Sequence, residues 1–234
     1  MKIEEVVETI AKFFNDLIGA WVPGALLAVG LALMHLGPDQ LQSIFKLADT
    51  GAAAVTAAGL LFALGHVLLA LHEEVLKKLL SKLKVSRAFD EAKAKERQSY
   101  EWFADLVKSQ QSGTGAKDWA YHDLRSVALT VSSEASSLGR RFMFISLLCN
   151  GVGTALAIIA IDLAACSLLS PSLLFAYDHA APWPAQTLLL LGLAWALFKH
   201  GEVFYSRAMA TPFSIAVAEL KFKKDANAGK ASTP

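Results

Sequence analysis

The charges of this chain are segregated. They gather between Glu73 and Arg141 and again after Phe198, and they leave long stretches almost free of charge. About 30 Å of bilayer hydrocarbon excludes charge, so this pattern belongs to a polytopic membrane protein. Composition agrees. The apolar share is 54%, against about 45–50% in soluble domains. The charged share is 18%, against roughly 25%. The expected fold is all-α, with four transmembrane helices and a helical cytosolic extension.

Residues 1–16 form an amphipathic N-terminal helix, with Ile3, Val6, Val7, Ile10, Phe13 and Phe14 at helical spacing. Glu4, Glu5 and Glu8 stand where a cleavable signal needs positive charge, so the first span is expected to be retained. Residues 17–71 form a first transmembrane hairpin. Its first span carries Trp21 near its start and Pro23-Gly24 as an expected kink or late start, and ends at Gly37-Pro38-Asp39. Residues 72–141 read as a cytosolic helical segment with Glu91 and Lys95 as an i,i+4 pair and a break at Gly113-Thr114-Gly115. The spacing predicts one unbroken helix from Asp118 to Leu169, about 78 Å long at 1.5 Å per residue. Residues 142–199 form the second hairpin. Residues 200–234 form a cytosolic amphipathic helix and tail, with Thr211-Pro212 as expected N-cap and first helical position.

Lysine and arginine set the orientation. The N-terminal arm holds two, the first loop one, the second loop thirteen, the third none and the C-terminal segment six. Both termini and the 72–141 segment are therefore expected in the cytoplasm of a bacterial inner membrane. The net charge of +1 and the lack of a basic block point to no nucleic-acid partner.

Polar groups and small residues inside the spans are the candidate functional positions. In the second span Ala52, Thr56, Gly59, Ala63, His66 and Ala70 recur at alternating steps of four and three, a seam that lets another helix approach closely. His66 on that seam is a neutral interhelical partner or a proton sensor. In the third span Asn150 lies about 13 Å past Arg141, near mid-bilayer, and Gly153, Ala157, Ala160 and Ala164 extend its face. It is interhelical glue or a polar constriction. Asp162 lies about 31 Å past Arg141, at the outer interface or a pore mouth. Cys149 and Cys166 sit roughly 25 Å apart on one expected helix, too far to pair, and show no metal spacing.

His72 with Glu74 follows the second span, and His200 with Glu202 follows the fourth. The repeat suggests boundary charge-pairing, related hairpins or a two-histidine metal site. Histidine and glutamate two positions apart point to different helix faces, so no metal and no cofactor are expected. H-E-x-x-H, G-x-S-x-G and phosphate-binding loops are all missing, and no catalytic residue is expected.

Asp16-Leu17 through Pro23-Gly24, followed by Gly65-His66, resembles small four-span bacterial inner-membrane proteins, some from antiphage defence operons. That resemblance implies an effector or sensor role in antiviral defence. The expected function is a non-enzymatic, homo-oligomeric pore or sensor in the lipid bilayer, controlled through 72–141, where a cytosolic protein partner would bind. A membrane anchor or scaffold is the alternative, with a small transporter or metal-dependent membrane enzyme behind it.

Overall fold

The computed structural model describes residues 3–47, 51–82, 89–110, 119–178 and 180–230, with side chains placed within 18–46, 51–82, 89–110, 119–178 and 180–221. The apolar face expected on residues 3–14 and the Gly113-Thr114-Gly115 break lie outside these. The described residues are predominantly helical, with no strand among them: α1 (Ile3–Leu47), α2 (Gly51–Leu71), α3 (Lys77–Lys82), α4 (Glu91–Lys95), α5 (Gln98–Gln110), α6 (Tyr121–Val131), α7 (Ser133–Leu169) and α8 (Trp183–Lys230). Among the described residues, four helical stretches are long and apolar enough to cross a membrane: Ile18–Lys46, Gly51–Lys82, Ser133–Leu169 and Trp183–Lys221. The all-α polytopic architecture is thus the observed one.

The chain divides into two compact units, one of residues 1–86 and 144–201, the other of residues 87–143 and 202–234. The polar continuation of α2 therefore belongs with the spans. The residues after 201 join 87–143 in a single body.

In the membrane unit, α1 and α2 touch backbone to backbone. A Cβ added at Gly24 would collide with the Leu61 carbonyl, and one at Gly65 with the Ala20 carbonyl. Small residues are what allow such an approach in lipid, where van der Waals packing replaces the hydrophobic effect between helices. α1 passes through Pro23 without a break. α7 seats on that proline: a Cβ at Gly151 would lie 2.6 Å from Pro23 Cγ. Leu27, Leu68, Ala155 and Ile159 form one core cluster, and Ala157, Ala194 and Phe198 another. Among the four apolar stretches, that of α7 is the most enclosed and that of α2 the least.

α1 breaks at Gly37, whose φ of 79° is the left-handed region that glycine tolerates. The loop after α7 closes this break. Phe175 N–H donates to the Met34 carbonyl at 2.9 Å, and the Tyr177 hydroxyl donates to the Leu33 carbonyl at 2.6 Å. The Phe175 ring lies where a side chain at residue 37 would sit. Two carbonyls orphaned at a helix end are thereby satisfied.

The second unit is built on aromatic residues. Phe103, Tyr121, Leu124, Ala128, Met209, Phe213, Ala216 and Val217 are buried together. Tyr100 stacks on Tyr121 at 5.4 Å, and Phe213 meets Tyr121 edge-on at 5.3 Å. Asp90 caps α4 by accepting from Lys93 N–H at 3.1 Å, and the Glu91–Lys95 ion pair forms at 2.7 Å.

Two expected boundaries change here. The helix anticipated from Asp118 to Leu169 is interrupted at Ser132, which is extended at φ −132°, ψ 115°. The Ser132 hydroxyl accepts from Ala135 N–H at 3.0 Å and starts α7 as an N-cap, a local bond that competes with helix continuation. Pro212 was expected to begin a helix, yet α8 runs through it. Proline removes the N–H that would bond the carbonyl four residues back, here Ala208. Arg125 Nε donates to that carbonyl at 3.1 Å, and the Tyr121 hydroxyl donates to the Met209 carbonyl at 3.1 Å. These two side chains, one turn apart on α6, bond the carbonyls at the proline and let α8 continue.

Candidate functional site

The second span presents two different faces. Gly65 and Leu68 are buried in the unit, whereas Ala52, Thr56, Gly59, Ala63, His66 and Ala70 are all exposed. Nothing lies within 4 Å of a Cβ built at Gly59. The seam read from the sequence is thus the outward face of α2, and the close intramolecular contact uses Gly24 and Gly65 instead. Thr56 donates to the Ala52 carbonyl at 3.0 Å. His66 stands edge-on to Phe62 at 4.5 Å.

The face of α7 marked by Asn150 points into the unit. Gly153, Ala157 and Ala160 are buried, and Ala164 is half-buried. Gly153 accommodates the Phe198 ring. Asn150 packs directly on Gly201, and a Cβ there would collide with its amide oxygen. Beside it, Ser146 donates to the Gly201 carbonyl at 2.8 Å, and Thr154 donates to the Asn150 carbonyl at 2.8 Å. Asn150 therefore stands level with Gly201, next to the His200 that the sequence places at a membrane boundary.

His72 is buried at the head of a π-turn, His72–Leu76, in which Lys77 N–H reaches the His72 carbonyl. Such one-residue insertions recur at functional positions in helices. Its Nδ1 lies 3.4 Å from Thr154 Oγ1, and its ring lies 5.2 Å from that of Phe198. Glu74 instead pairs with Lys78 at 2.7 Å, and His200 is exposed. Among the described residues, the groups suited to hold a metal ion do not include His72, Glu74, His200 or Glu202.

A side-chain contact between two spans of the membrane unit involves a residue that sequence reasoning passed over. His35 Nε2 meets Asp162 Oδ2 at 2.7 Å, and His35 Nδ1 lies 2.9 Å from the Leu173 carbonyl. A carbonyl only accepts, so Nδ1 carries a proton. One further proton is shared between Nε2 and the carboxylate, and the pair as a whole is neutral. The Cys166 thiol, one turn beyond Asp162, donates to Asp162 Oδ1 at 3.8 Å. His35 is 127 residues from Asp162, and no local spacing relates them. The available signal was a histidine two residues before the Gly37 break, at a depth matching that of Asp162.

In the second unit, Tyr121 is buried in the aromatic core and Arg125 is half-buried beside it on α6. Burial lowers the Arg125 guanidinium from its ordinary value. Burial likewise pushes the Tyr121 hydroxyl up to about 12, opposed by Arg97 and Arg125. Their partners are backbone carbonyls, which marks them as architectural groups. Comparison with known protein families, with curated proteins and with solved structures finds no match to this chain.

Proposed function

We propose that the chain is a non-enzymatic protein of a bacterial inner membrane that self-associates through the outward face of α2. Its helical unit of residues 87–143 and 202–234, on the cytosolic side, receives the signal, and it acts as a sensor or effector of the kind the defence-operon resemblance implies. The carrying observation is the α2 stripe. Thr56 and His66 sit on an exposed line of alanine and glycine within a span, where polar groups facing lipid are costly and small residues permit close helix approach. A second copy covers both features at once. If the assembly conducts ions, Thr56 and His66 are the polar groups that border its path where copies meet; Ser146 and Thr154 are buried within the single chain, and Asn150, half-buried, packs on Gly201.

Light scattering of the full-length protein in mild detergent tests this reading. Wild type is expected at a multiple of the monomer mass. Ala63→Leu and Gly59→Leu are expected as monomers with unchanged helical circular dichroism. A monomeric wild type that also fails to cross-link through Ala63→Cys in native membranes removes the proposal. Ion flux from liposomes then separates the two modes. Flux reduced by His66→Leu identifies a pore, and tight vesicles with an intact oligomer identify a sensor. The anchor reading draws on the burial of Thr154 and the packing of Asn150 on Gly201, and it predicts a cytosolic partner retained by the monomeric Ala63→Leu variant.

A further inference from the structure

We propose that His35, Asp162 and Cys166 form a binding site for a divalent ion of the zinc class. One ligand atom from each lies within 4.8 Å of the other two. Imidazole nitrogen, carboxylate oxygen and thiolate sulfur are the three donor types that zinc accepts. Two of them, Asp162 and Cys166, stand at i,i+4 on α7 and share a face, and the third comes across from α1. The histidine is already oriented. Its Nδ1–H is committed to the Leu173 carbonyl at 2.9 Å, which directs Nε2 toward the other two ligands. This is the outer partner that metal-bound histidines characteristically have.

The distances suit an ion taking the place of protons. Tetrahedral zinc with bonds of about 2.0–2.3 Å separates its ligand atoms by roughly 3.3–3.6 Å. Nε2 lies 2.7 Å from Oδ2, Sγ lies 3.8 Å from Oδ1, the other oxygen of the same carboxylate, and one ligand atom from each residue lies within 4.8 Å of the others, so small side-chain shifts reach that range. The proton shared by His35 and Asp162 and the thiol proton of Cys166 both lie on contacts to one carboxylate. When the ion enters, these two protons leave. Imidazole, carboxylate, thiolate and a divalent cation then sum to the same zero charge as before, so binding adds no net charge at the end of a membrane span. Three protein ligands leave a fourth position open. The ion would tie α1, just before its break at Gly37, to α7 and, through Leu173, to the loop that closes the break.

Cobalt and zinc ions added to the full-length protein in detergent provide the test. With Co²⁺, wild type and Cys149→Ser are expected to show a thiolate-to-metal charge-transfer band that one equivalent of Zn²⁺ removes. Cys166→Ser is expected to lack the band, and His35→Gln to weaken Co²⁺ binding by at least about tenfold. In the Cys149→Ser protein, whose cluster is intact, Zn²⁺ is expected to slow maleimide labelling of Cys166 at least tenfold, and His35→Gln to abolish that protection. A charge-transfer band that survives Cys166→Ser, or a Cys166 labelling rate indifferent to Zn²⁺ in the Cys149→Ser protein, overturns the assignment.

Discussion

Arg125 shows how one side chain decides the course of a helix. It donates to the Ala208 carbonyl that Pro212 leaves without an N–H partner. Arg125→Leu is expected to destabilise the helical unit by about 1–3 kcal/mol, the cost of a buried carbonyl without a donor. Pro212→Ala restores the missing N–H, so Arg125→Leu should cost distinctly less in that background. A double-mutant cycle by chemical unfolding measures the difference, and equal costs in both backgrounds would discard this role. Tyr121 carries a pH signature. Its hydroxyl ionises at about 12 in the fold because of burial, against about 10 when unfolded. Between those values the unfolded chain has lost the proton that the folded chain keeps. Stability is therefore complete below pH 10 and falls as pH rises toward 12, by about 1.4 kcal/mol per unit at most. Melting temperatures at pH 9 and 11 should separate more in wild type than in Tyr121→Phe. Neither role could be read from the sequence, where Arg125 is one polar residue among many on an amphipathic helix.

At the scale of elements, the sequence located the spans well and misjudged two joints. Hydropathy is a sum over neighbouring residues and needs no knowledge of the fold, so the four apolar stretches emerge directly. The joints at Ser132 and Pro212 depend on what stands across from them. Ser132 carries a nearly fully buried hydroxyl that caps α7, and Ser132→Ala should cost about 1 kcal/mol, seen as a lower melting temperature. The helix pair α1–α2 offers a sharper test. A Cβ at Gly65 collides with the Ala20 backbone, whereas one at Gly59 meets nothing. Gly65→Ala should force the helices apart at a cost of about 1–3 kcal/mol. Gly59→Ala should not destabilise the single chain, and the better helix propensity of alanine can add up to about 1 kcal/mol. Similar loss in both variants, measured by unfolding in detergent, would contradict the packing.

For the whole molecule, the division into a membrane unit and an aromatic-cored helical unit joins segments far apart in sequence. Residues 202–234 reach the same body as 87–143 because Met209, Phe213, Ala216 and Val217 complete a core that α5 and α6 leave open. The sequence displayed the apolar stripe of that last helix but not its destination. Phe213→Ala should expose this core and cost about 3–5 kcal/mol. Loss of near-ultraviolet circular dichroism together with protease cleavage within 87–143 would register it, while the spans remain helical. Intact protease resistance would show that the two segments fold independently.

The sequence by itself determined that the chain is helical, that it holds four apolar spans and that Glu91 pairs with Lys95. Each of these follows from residues within a few turns of one another, through hydrophobic transfer and helical periodicity. Only the tertiary structure decided that Gly24 meets Gly65, that the seam beginning at Ala52 faces outward, that Asn150 rests on Gly201, and that His35 finds Asp162 and the loop carbonyl of Leu173. Those outcomes turn on which face of one helix meets which face of another. A helical repeat identifies the faces, but only the simultaneous packing of all the helices chooses their partners.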